Sequence, residues 1–284
     1  MAILTRAAVI VALAYSFGCQ RSPTLIDATQ RSIAVHAVLV AGSDSATVLV
    51  TRPPSWQPIM TQPIANAHVR LVHGSDTVVA LNNARACVRI AELAATSAGC
   101  YAALLPGGVR AGATYELLVN IAEETPIRGI TRVPEPLQLL EPAASAEPTV
   151  LLLAQPNRSA TPVTARWSGA APEARTELRI VTDRSDCVVR AARGEESWWW
   201  SGLDHVVVTG VDSATVRVAH LQCSQPLAER YAAHLVVTVY DESYSRYVTW
   251  NDESPATVSA GLTGAYGVFG AAASNAVPLV LTVE

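Results

Sequence analysis

The sequence predicts an all-β protein made of two antiparallel β-sandwich domains of immunoglobulin-like or transthyretin-like type. Short segments rich in Val, Thr and Ala recur along the chain. Gly, Pro, Asn, Asp or Ser interrupt them about every 8 to 12 residues, which is the spacing of strands and turns in sandwich proteins. Of the 284 residues, 50% are apolar and 15% are charged, a balance that excludes general disorder. A chain of this size is large enough for two domains with their own cores.

The first predicted domain comprises residues 33–132. It opens with a hairpin, because two alternating segments flank the sequence AGSDS, which is typical of a turn. A second hairpin is predicted around Gly74. The predicted strands of this domain are residues 34–40, 46–51, 68–72, 77–81, 85–90, 100–104 and 114–121.

The second predicted domain comprises residues 149–284 and continues the same rhythm of strands and turns. We expect little helix there, apart from a turn or two around residues 227–232. Between the domains, residues 133–148 carry four prolines and are predicted to form a linker. Its apolar middle, residues 137–140, is alternatively an edge strand of either domain. The predicted strands are residues 149–154, 163–167, 176–182, 187–191, 197–200, 205–209, 215–221, 234–240, 247–250 and 278–283.

Residues 1–19 have the features of an export signal. Arg6 precedes an uncharged apolar run over residues 7–17, and the small residue Gly18 stands directly before Cys19. This run is too short for a membrane-spanning helix, which needs about 20 residues. A cysteine in this position resembles a bacterial lipobox, so we expect Cys19 to be acylated and to anchor the mature chain in a membrane. A plain signal peptide cleaved nearby is the alternative.

The residues after the signal indicate where the protein is held. Residues 20–32 are polar and mixed, which suits a flexible tether. Gln20 follows the cysteine, and the absence of an Asp there favours the outer membrane, on its periplasmic or its external face. The net charge is −4, and the basic residues are all Arg and form no cluster. This distribution argues against nucleic acid as a partner.

With Cys19 assigned to the lipid anchor, four cysteines remain: Cys87, Cys100, Cys187 and Cys223. An even set in an oxidising compartment predicts disulfides. Three connectivities are open, and the one that respects the predicted domains joins Cys87 to Cys100 and the other two to each other. The competing metal site needs closely spaced CxxC or CxxH pairs, which the sequence lacks.

Three consecutive tryptophans, Trp198, Trp199 and Trp200, are the best candidates for a ligand or partner surface. Side chains of a strand alternate between its two faces, so one or two of these rings belong to the core and at least one is expected to be exposed. Exposed aromatic rings serve in sugar stacking and protein contact. Tyr247 and Trp250 are candidate neighbours in the same surface. Packing of the cluster in the core is the alternative.

Glycines recur at every third position from Gly261 to Gly270. The pattern differs from a phosphate-binding loop. It predicts backbone that adopts positive φ or passes close to another surface. The acidic pairs at residues 241–242 and 252–253 are predicted to be solvated ends of one hairpin, because a calcium site needs about six to eight oxygen ligands.

The sequence carries no catalytic signature. The six histidines show neither an HExxH motif nor a paired zinc spacing. Asp204 beside His205 is compatible with a hydrolytic triad, but the GxSxG elbow that would hold its nucleophile is missing. We therefore expect a protein that is not an enzyme and that uses no metal or other cofactor.

The order of several motifs resembles a family of uncharacterised bacterial lipoproteins, domain of unknown function 4249. The similar stretches are an opening hairpin at residues 34–53, PIANAHVRLVH at 63–73, GCYAALLPGGVRAGATYELLV at 99–119 and GLTGAYGVFG at 261–270. The resemblance implies a surface or periplasmic lipoprotein of two β domains, sometimes associated with outer-membrane transport machinery. It brings no established activity.

Together these features predict a non-catalytic binding or accessory component of the outer membrane. The expected partners are the membrane itself, through the lipid, and an outer-membrane transport protein or another envelope protein. A purely structural role in the envelope is the second hypothesis, and a hydrolase that uses the second domain is the third.

Overall fold

The structure is a computed structural model that describes residues 33–52, 62–83, 99–142, 149–153, 161–183, 187–191, 205–223, 230–251 and 259–283. Within these ranges it contains nineteen strands and one helix, which confirms the all-β prediction. The strands predicted at residues 85–90 and 197–200 lie outside the described residues.

The first part of the chain contributes eight strands and two predicted hairpins. Most strand limits lie within one or two residues of the predicted ones, because short turns separate segments that alternate in polarity. The strands are β1 (Ala34–Val40), β2 (Ser45–Arg52), β3 (Gln62–Pro63), β4 (His68–His73), β5 (Asp76–Asn82), β6 (Cys100–Leu104), β7 (Thr114–Asn120) and β8 (Ile127–Arg132).

The rest of the described chain contributes eleven strands and the helix. The strands are β9 (Gln138–Glu141), β10 (Thr149–Leu153), β11 (Thr161–Ser168), β12 (Arg175–Thr182), β13 (Cys187–Ala191), β14 (His205–Thr209), β15 (Ser213–Cys223), β16 (Arg230–Tyr240), β17 (Ser259–Ala260), β18 (Leu262–Thr263) and β19 (Tyr266–Val283). The helix, α1, is Glu242–Asn251.

The first core is enclosed by one sheet that folds over itself. Its strands are adjacent in the order β1, β2, β6, β5, β4, β7 and β8, and each pair of neighbours is antiparallel. Alternate residues of β1 and β7 are buried in the same apolar cluster, so these two strands face each other across the core. The buried residues are Val35, Ala37, Leu39, Tyr115, Leu117 and Val119.

Strand β19 belongs to two cores. Its first part runs parallel to β1, beginning where Ala34 lies opposite Tyr266, and its later part is antiparallel to β16. Phe269 packs in the first core, whereas Leu279 and Leu281 pack in the second. Residues from Ser32 to Glu284 accordingly form one compact unit, and the predicted division into two separate domains is not confirmed.

The second core lies between two sheets, as in a sandwich. A four-stranded sheet in the order β13, β15, β11 and β9 packs against the part of the large sheet that contains β12, β16 and β19. Trp167 of β11 fills the interior, and its indole Nε1 donates to the carbonyl oxygen of Val211 at 3.1 Å. Buried Leu178 and Leu235 approach from the opposite sheet.

Residues of the predicted linker belong to this second core. Leu137 is buried in it, and Gln138–Glu141 forms edge strand β9 beside β11. The side-chain amide of Asn275 donates to the carbonyl oxygen of Leu137 at 3.1 Å and ties this segment to β19. The structure therefore supports the alternative interpretation, an edge strand within the proline-rich segment.

The helix is the main correction to the predicted elements. Residues 247–250 were expected to form a strand and instead belong to α1, while residues 230–232, expected in a helical turn, belong to β16. The helix forms here because Asp241 caps its first turn: its carboxylate accepts from the backbone N–H of Ser243 and of Tyr244. In the part of the chain that is described, no helix is long and apolar enough to cross a membrane.

Candidate functional site

A groove of about 910 Å³ opens where the ends of several strands meet. The end of β8 and the chain that follows it, residues 130–135, form one wall. The turn between β11 and β12 forms a second wall, and the corner between β16 and α1, residues 239–243, forms the third. We call this cavity the junction groove. It is built on elements of both cores, because β8 belongs to the first and β16 to the second.

Carboxylates outnumber cations in the junction groove. Glu135, Glu173, Asp241 and Glu242 line it, against the single guanidinium of Arg132. The Nε of Arg132 is engaged, because it donates to the carbonyl oxygen of Gly112 at 3.2 Å. Ile130 adds an apolar contact at the edge, where 63% of its surface is exposed. The groove therefore combines an acidic set of side chains with a largely apolar lining, to which Val133, Pro134 and Pro172 also contribute.

Asp241 holds the corner of the groove together. One carboxylate oxygen, Oδ1, accepts from the backbone N–H of Tyr244 at 3.0 Å and of Ala271 at 2.8 Å. The other, Oδ2, accepts from the hydroxyl of Thr131 at 2.7 Å and the N–H of Ser243 at 3.3 Å. The prediction of a solvated loop end is wrong for Asp241, because this carboxylate joins β8, α1 and β19.

Two half-buried tyrosines lie beside this corner. The hydroxyl of Tyr240 donates to Oε2 of Glu177, and its ring lies 4.7 Å from that of Tyr244. Burial, followed by the negative charge of Glu177, raises the pKa of both phenols above the ordinary value. Both therefore stay protonated at neutral pH, and the Tyr240 hydroxyl acts as a hydrogen-bond donor rather than as a base.

Tyr247, predicted as part of a recognition surface, lies on the inner side of α1. Its ring meets the ring of His36 edge to face, with centroids 5.8 Å apart and planes at 71°. Burial raises the pKa of the Tyr247 phenol. Trp250 is in the last turn of the same helix. Its side chain and the whole of residues 198–200 lie outside what the structure describes, so the tryptophan surface stays a prediction.

The glycine pattern has the predicted physical cause. Gly261, Gly264 and Gly267 have φ of +68°, +85° and +98°, which L side chains rarely adopt. A Cβ on Gly267 would collide with the carbonyl oxygen of Val35 in β1. A Cβ on Gly270 would lie 2.8 Å from Cβ of Tyr244. The glycines thus allow β1 and α1 to approach β19 closely.

The structure describes the positions of Cys100, Cys187 and Cys223. Cys100 is fully buried in β6 and is disulfide-bonded, while Cys87, its predicted partner, lies outside the described residues. Cys187 and Cys223 lie directly opposite each other in β13 and β15. Opposed residues of antiparallel strands have Cα atoms about 4.5 to 5.5 Å apart, which suits a disulfide. The two pairings stay predictions, as does acylation of Cys19.

Other candidate chemistry does not come together in the described ranges. They hold no group of three or more His, Cys, Asp or Glu side chains arranged for a metal ion. His205 lies in β14 opposite Arg179, and Asp204 is outside the described residues.

The sequence did not predict the junction groove or the role of Asp241. The signal for the cap was present, since Asp241 and Glu242 stand at the start of a segment with a Glu242–Arg246 pair at i, i+4.

No protein-family model matches the chain, and no curated protein matches it. Solved structures that are similar include Escherichia coli alpha-2-macroglobulin activated by porcine elastase, with 11% identity over 88% of this chain and a TM-score of 0.23. This chain spans 23% of the length of that macroglobulin.

Two further similar structures are a fimbrial adhesin subunit and a domain of a biofilm associated protein. One is CfaE, the adhesive subunit of CFA/I fimbria of enterotoxigenic Escherichia coli, with 8% identity, coverage of 89% of this chain and 88% of that chain, and a TM-score of 0.21. The other is the BSP domain of a biofilm associated protein, with 7% identity, coverage of 86% and 58%, and a TM-score of 0.17. At these scores the likenesses carry no argument about function.

Proposed function

We propose that this protein is an exported, lipid-anchored, non-catalytic binding or accessory component of the bacterial outer membrane. Cys19 carries the lipid, and residues 20–32 hold the β-sheet body away from the bilayer. The export-type pattern of residues 1–19 and the resemblance to an uncharacterised lipoprotein family support this location.

The observation that carries a binding role is the junction groove. Two of its walls are the end of β8 and the corner between β16 and α1, and Asp241 connects these two. Because strands and a capped helix position the walls, the groove is preorganised for a partner. Its groups suit contact rather than proton transfer, since Asp241 is fully engaged and the pKa of Tyr240 lies far above neutrality. The proposed partner is another envelope protein, an outer-membrane transport protein among them.

A purely structural role in the envelope is the second candidate, and an exposed apolar sheet face favours it. Leu81 of β5 is 70% exposed, and Leu104 of the neighbouring β6 is 75% exposed. Val79 of β5 is 56% exposed and lies on the same face as Leu81 by strand alternation. Exposed apolar groups that form a patch mark contact surfaces more often than isolated ones do.

Site-specific photocrosslinking in intact envelopes tests both candidates. A photoreactive residue replaces Ile130 at the groove, Leu104 on the apolar face, or Val181 as an exposed control on β12. A binding role predicts a discrete crosslinked protein from position 130 that is absent from position 181. Crosslinks from position 104 alone would instead support the structural candidate, and no crosslink from either would contradict both.

The anchor is tested separately by mass spectrometry of the mature N-terminus. We expect an acylated cysteine at Cys19 as the first residue. An unacylated N-terminus at another position would refute lipid anchoring without affecting the groove.

A further inference from the structure

His36 is a half-buried histidine beneath the helix. It lies on the outer face of β1, opposite the face that packs in the first core. Its Nδ1 is inaccessible to solvent and has no hydrogen-bond partner in the described part of the chain. The ring contacts Tyr247 of α1 edge to face at 5.8 Å. An imidazole in this position is tolerated when neutral, because a buried charge without a partner is costly.

The two ends of α1 are attached differently. The first turn is held by the Asp241 carboxylate, which also accepts from Ala271 of β19 and Thr131 of β8. Further along the helix, the ring of Tyr247 packs edge to face against the ring of His36. Release of the later turns therefore does not require the capped first turn to move, and Asp241 is placed to act as the hinge.

Among the residues that the structure describes, no charged group offsets the burial of His36. Beside it in the sheet lie Leu49 of β2 and Val268 of β19, both buried and apolar. The group that faces it from α1 is the phenol of Tyr247, which is neutral. The charged pair on α1, Glu242 with Arg246, is exposed, and burial alone lowers the pKa of His36.

We propose that His36 is a pH sensor that controls the docking of α1 on the sheet, with protonation of the imidazole releasing the later turns of the helix. An imidazolium is stabilised in the released form, where water reaches it, and penalised in the docked form. Docking is therefore complete above the ordinary pKa of about 6.5. Below it, the docked form loses about tenfold in relative population per pH unit until the lowered pKa of docked His36 is reached.

Release of α1 would enlarge the apolar surface of the molecule. The helix packs against β19 and β17, and Gly270 allows its close approach. Val38 and Val40 share the outer face of β1 with His36, and Val40 is already 42% exposed. The released form thus presents apolar surface on β1 and β19 at acidic pH. This proposal does not depend on what the junction groove binds.

Hydrogen–deuterium exchange of the full chain at pH 7.5 and pH 5.5, corrected for intrinsic exchange rates, tests the proposal. We expect protection of residues 242–251 to fall about tenfold at the lower pH. His36→Phe retains a ring against Tyr247 but cannot be protonated, so its α1 protection is expected to be independent of pH. The matched control is His73→Phe, since His73 also stacks on a tyrosine, Tyr115, but lies away from α1.

The proposal is overturned if wild-type α1 keeps its protection at pH 5.5, or if the His36→Phe variant shows the same pH dependence as wild type. A second measurement, on the wild-type protein, tests the proposal even if the His36→Phe variant fails to fold. The ring resonances of His36 in the wild-type protein, followed by NMR, are expected to titrate with a midpoint below 6.5. A midpoint at or above 6.5 refutes the sensor role directly.

Discussion

The two parts of β19 differ in how many of their faces are covered by other elements. From residue 268 to residue 273 every side chain is buried, because the first core lies on one face and α1 covers part of the other. From residue 274 onward the strand mostly alternates, with Val277, Leu279 and Leu281 buried and their neighbours more exposed. The first part therefore presents Val268, Gly270 and Ala272 on its outer face, all buried, whereas in the second part the large apolar residues of the inner face are buried and those of the outer face are more exposed. A small residue is required where α1 approaches closest, at Gly270, whereas the uncovered outer face accepts larger residues such as Val280.

The largest expected effect comes from Gly267→Val. Both the positive φ and the collision with the carbonyl oxygen of Val35 oppose a side chain at this position. We expect the free energy of unfolding to fall by about 3 to 5 kcal/mol. Urea unfolding followed by circular dichroism measures it. The control is Ala276→Val in the alternating part, where the side chain is exposed and the change should stay within about 0.5 kcal/mol. Equal losses in the two variants would contradict the comparison.

Leu279→Ala tests whether the two parts of β19 are one cooperative element. Leu279 is 1% exposed in the second core, and its truncation should cost about 3 kcal/mol through lost burial and the cavity left behind. Because β19 lies in both cores, hydrogen exchange should show that β7 and β12 lose protection together. A loss confined to β12 would show that the two cores unfold independently.

Asp241→Ala removes the connection between the α1-covered part of β19 and the junction groove. The helix loses its cap, and the N–H of Ala271 and hydroxyl of Thr131 lose their acceptor. We expect a loss of about 2 to 3 kcal/mol in unfolding free energy, measured by thermal and urea unfolding.

The matched control for the Asp241 variant is Asp183→Ala, which removes an exposed carboxylate paired with His234. Its loss should be about 0.5 kcal/mol or less. If both variants lose the same amount, Asp241 is not the structural corner of the groove.

The smallest expected effect is that of Gly270→Ala, which adds one methyl group beneath α1. The new Cβ would lie 2.8 Å from Cβ of Tyr244, so the helix must shift outward. We expect a loss of about 1 kcal/mol and faster amide exchange within residues 242–251. Unchanged exchange in α1, measured by mass spectrometry, would mean that the glycine is not needed for helix docking.

Local pattern predicted much of the first core because its strands are joined by short turns. The hairpin of β4 and β5 closes at Gly74, which has φ of +58°, and the limits of β6 match the prediction. Both could be predicted because a few consecutive residues show the signals: apolar and polar residues alternate in the strands, and a glycine stands where the chain reverses. Tyr247 and Trp250 were misassigned to a strand for the opposite reason. Residues 247–250 are too few to show whether their apolar side chains repeat with the period of a helix or of a strand. Asp241, which caps the helix, lies outside this segment.

The junction groove was not predictable from the sequence, since Glu135, Glu173 and Glu242 come from three separated segments. None of them carries a local signature, and only the folding of both cores brings them to one cavity. His36 is a similar case. In the sequence it is one polar residue in an alternating strand, and its burial arises because a helix more than 200 residues later lies over it.

The sequence by itself determined many of the short strands, their turns and the positions that need glycine, because backbone conformation and side-chain alternation are set within a few residues. Strands β3 and β8 and residues 266–277 of β19 were among those not predicted. Tertiary structure alone decided that β19 completes both cores, that β1 pairs with it in parallel and that α1 caps the outer face. The physical reason is that pairing and burial depend on partners far apart in the chain. Which strands pair depends on which apolar surfaces can be buried together, and no short segment of the sequence contains that information.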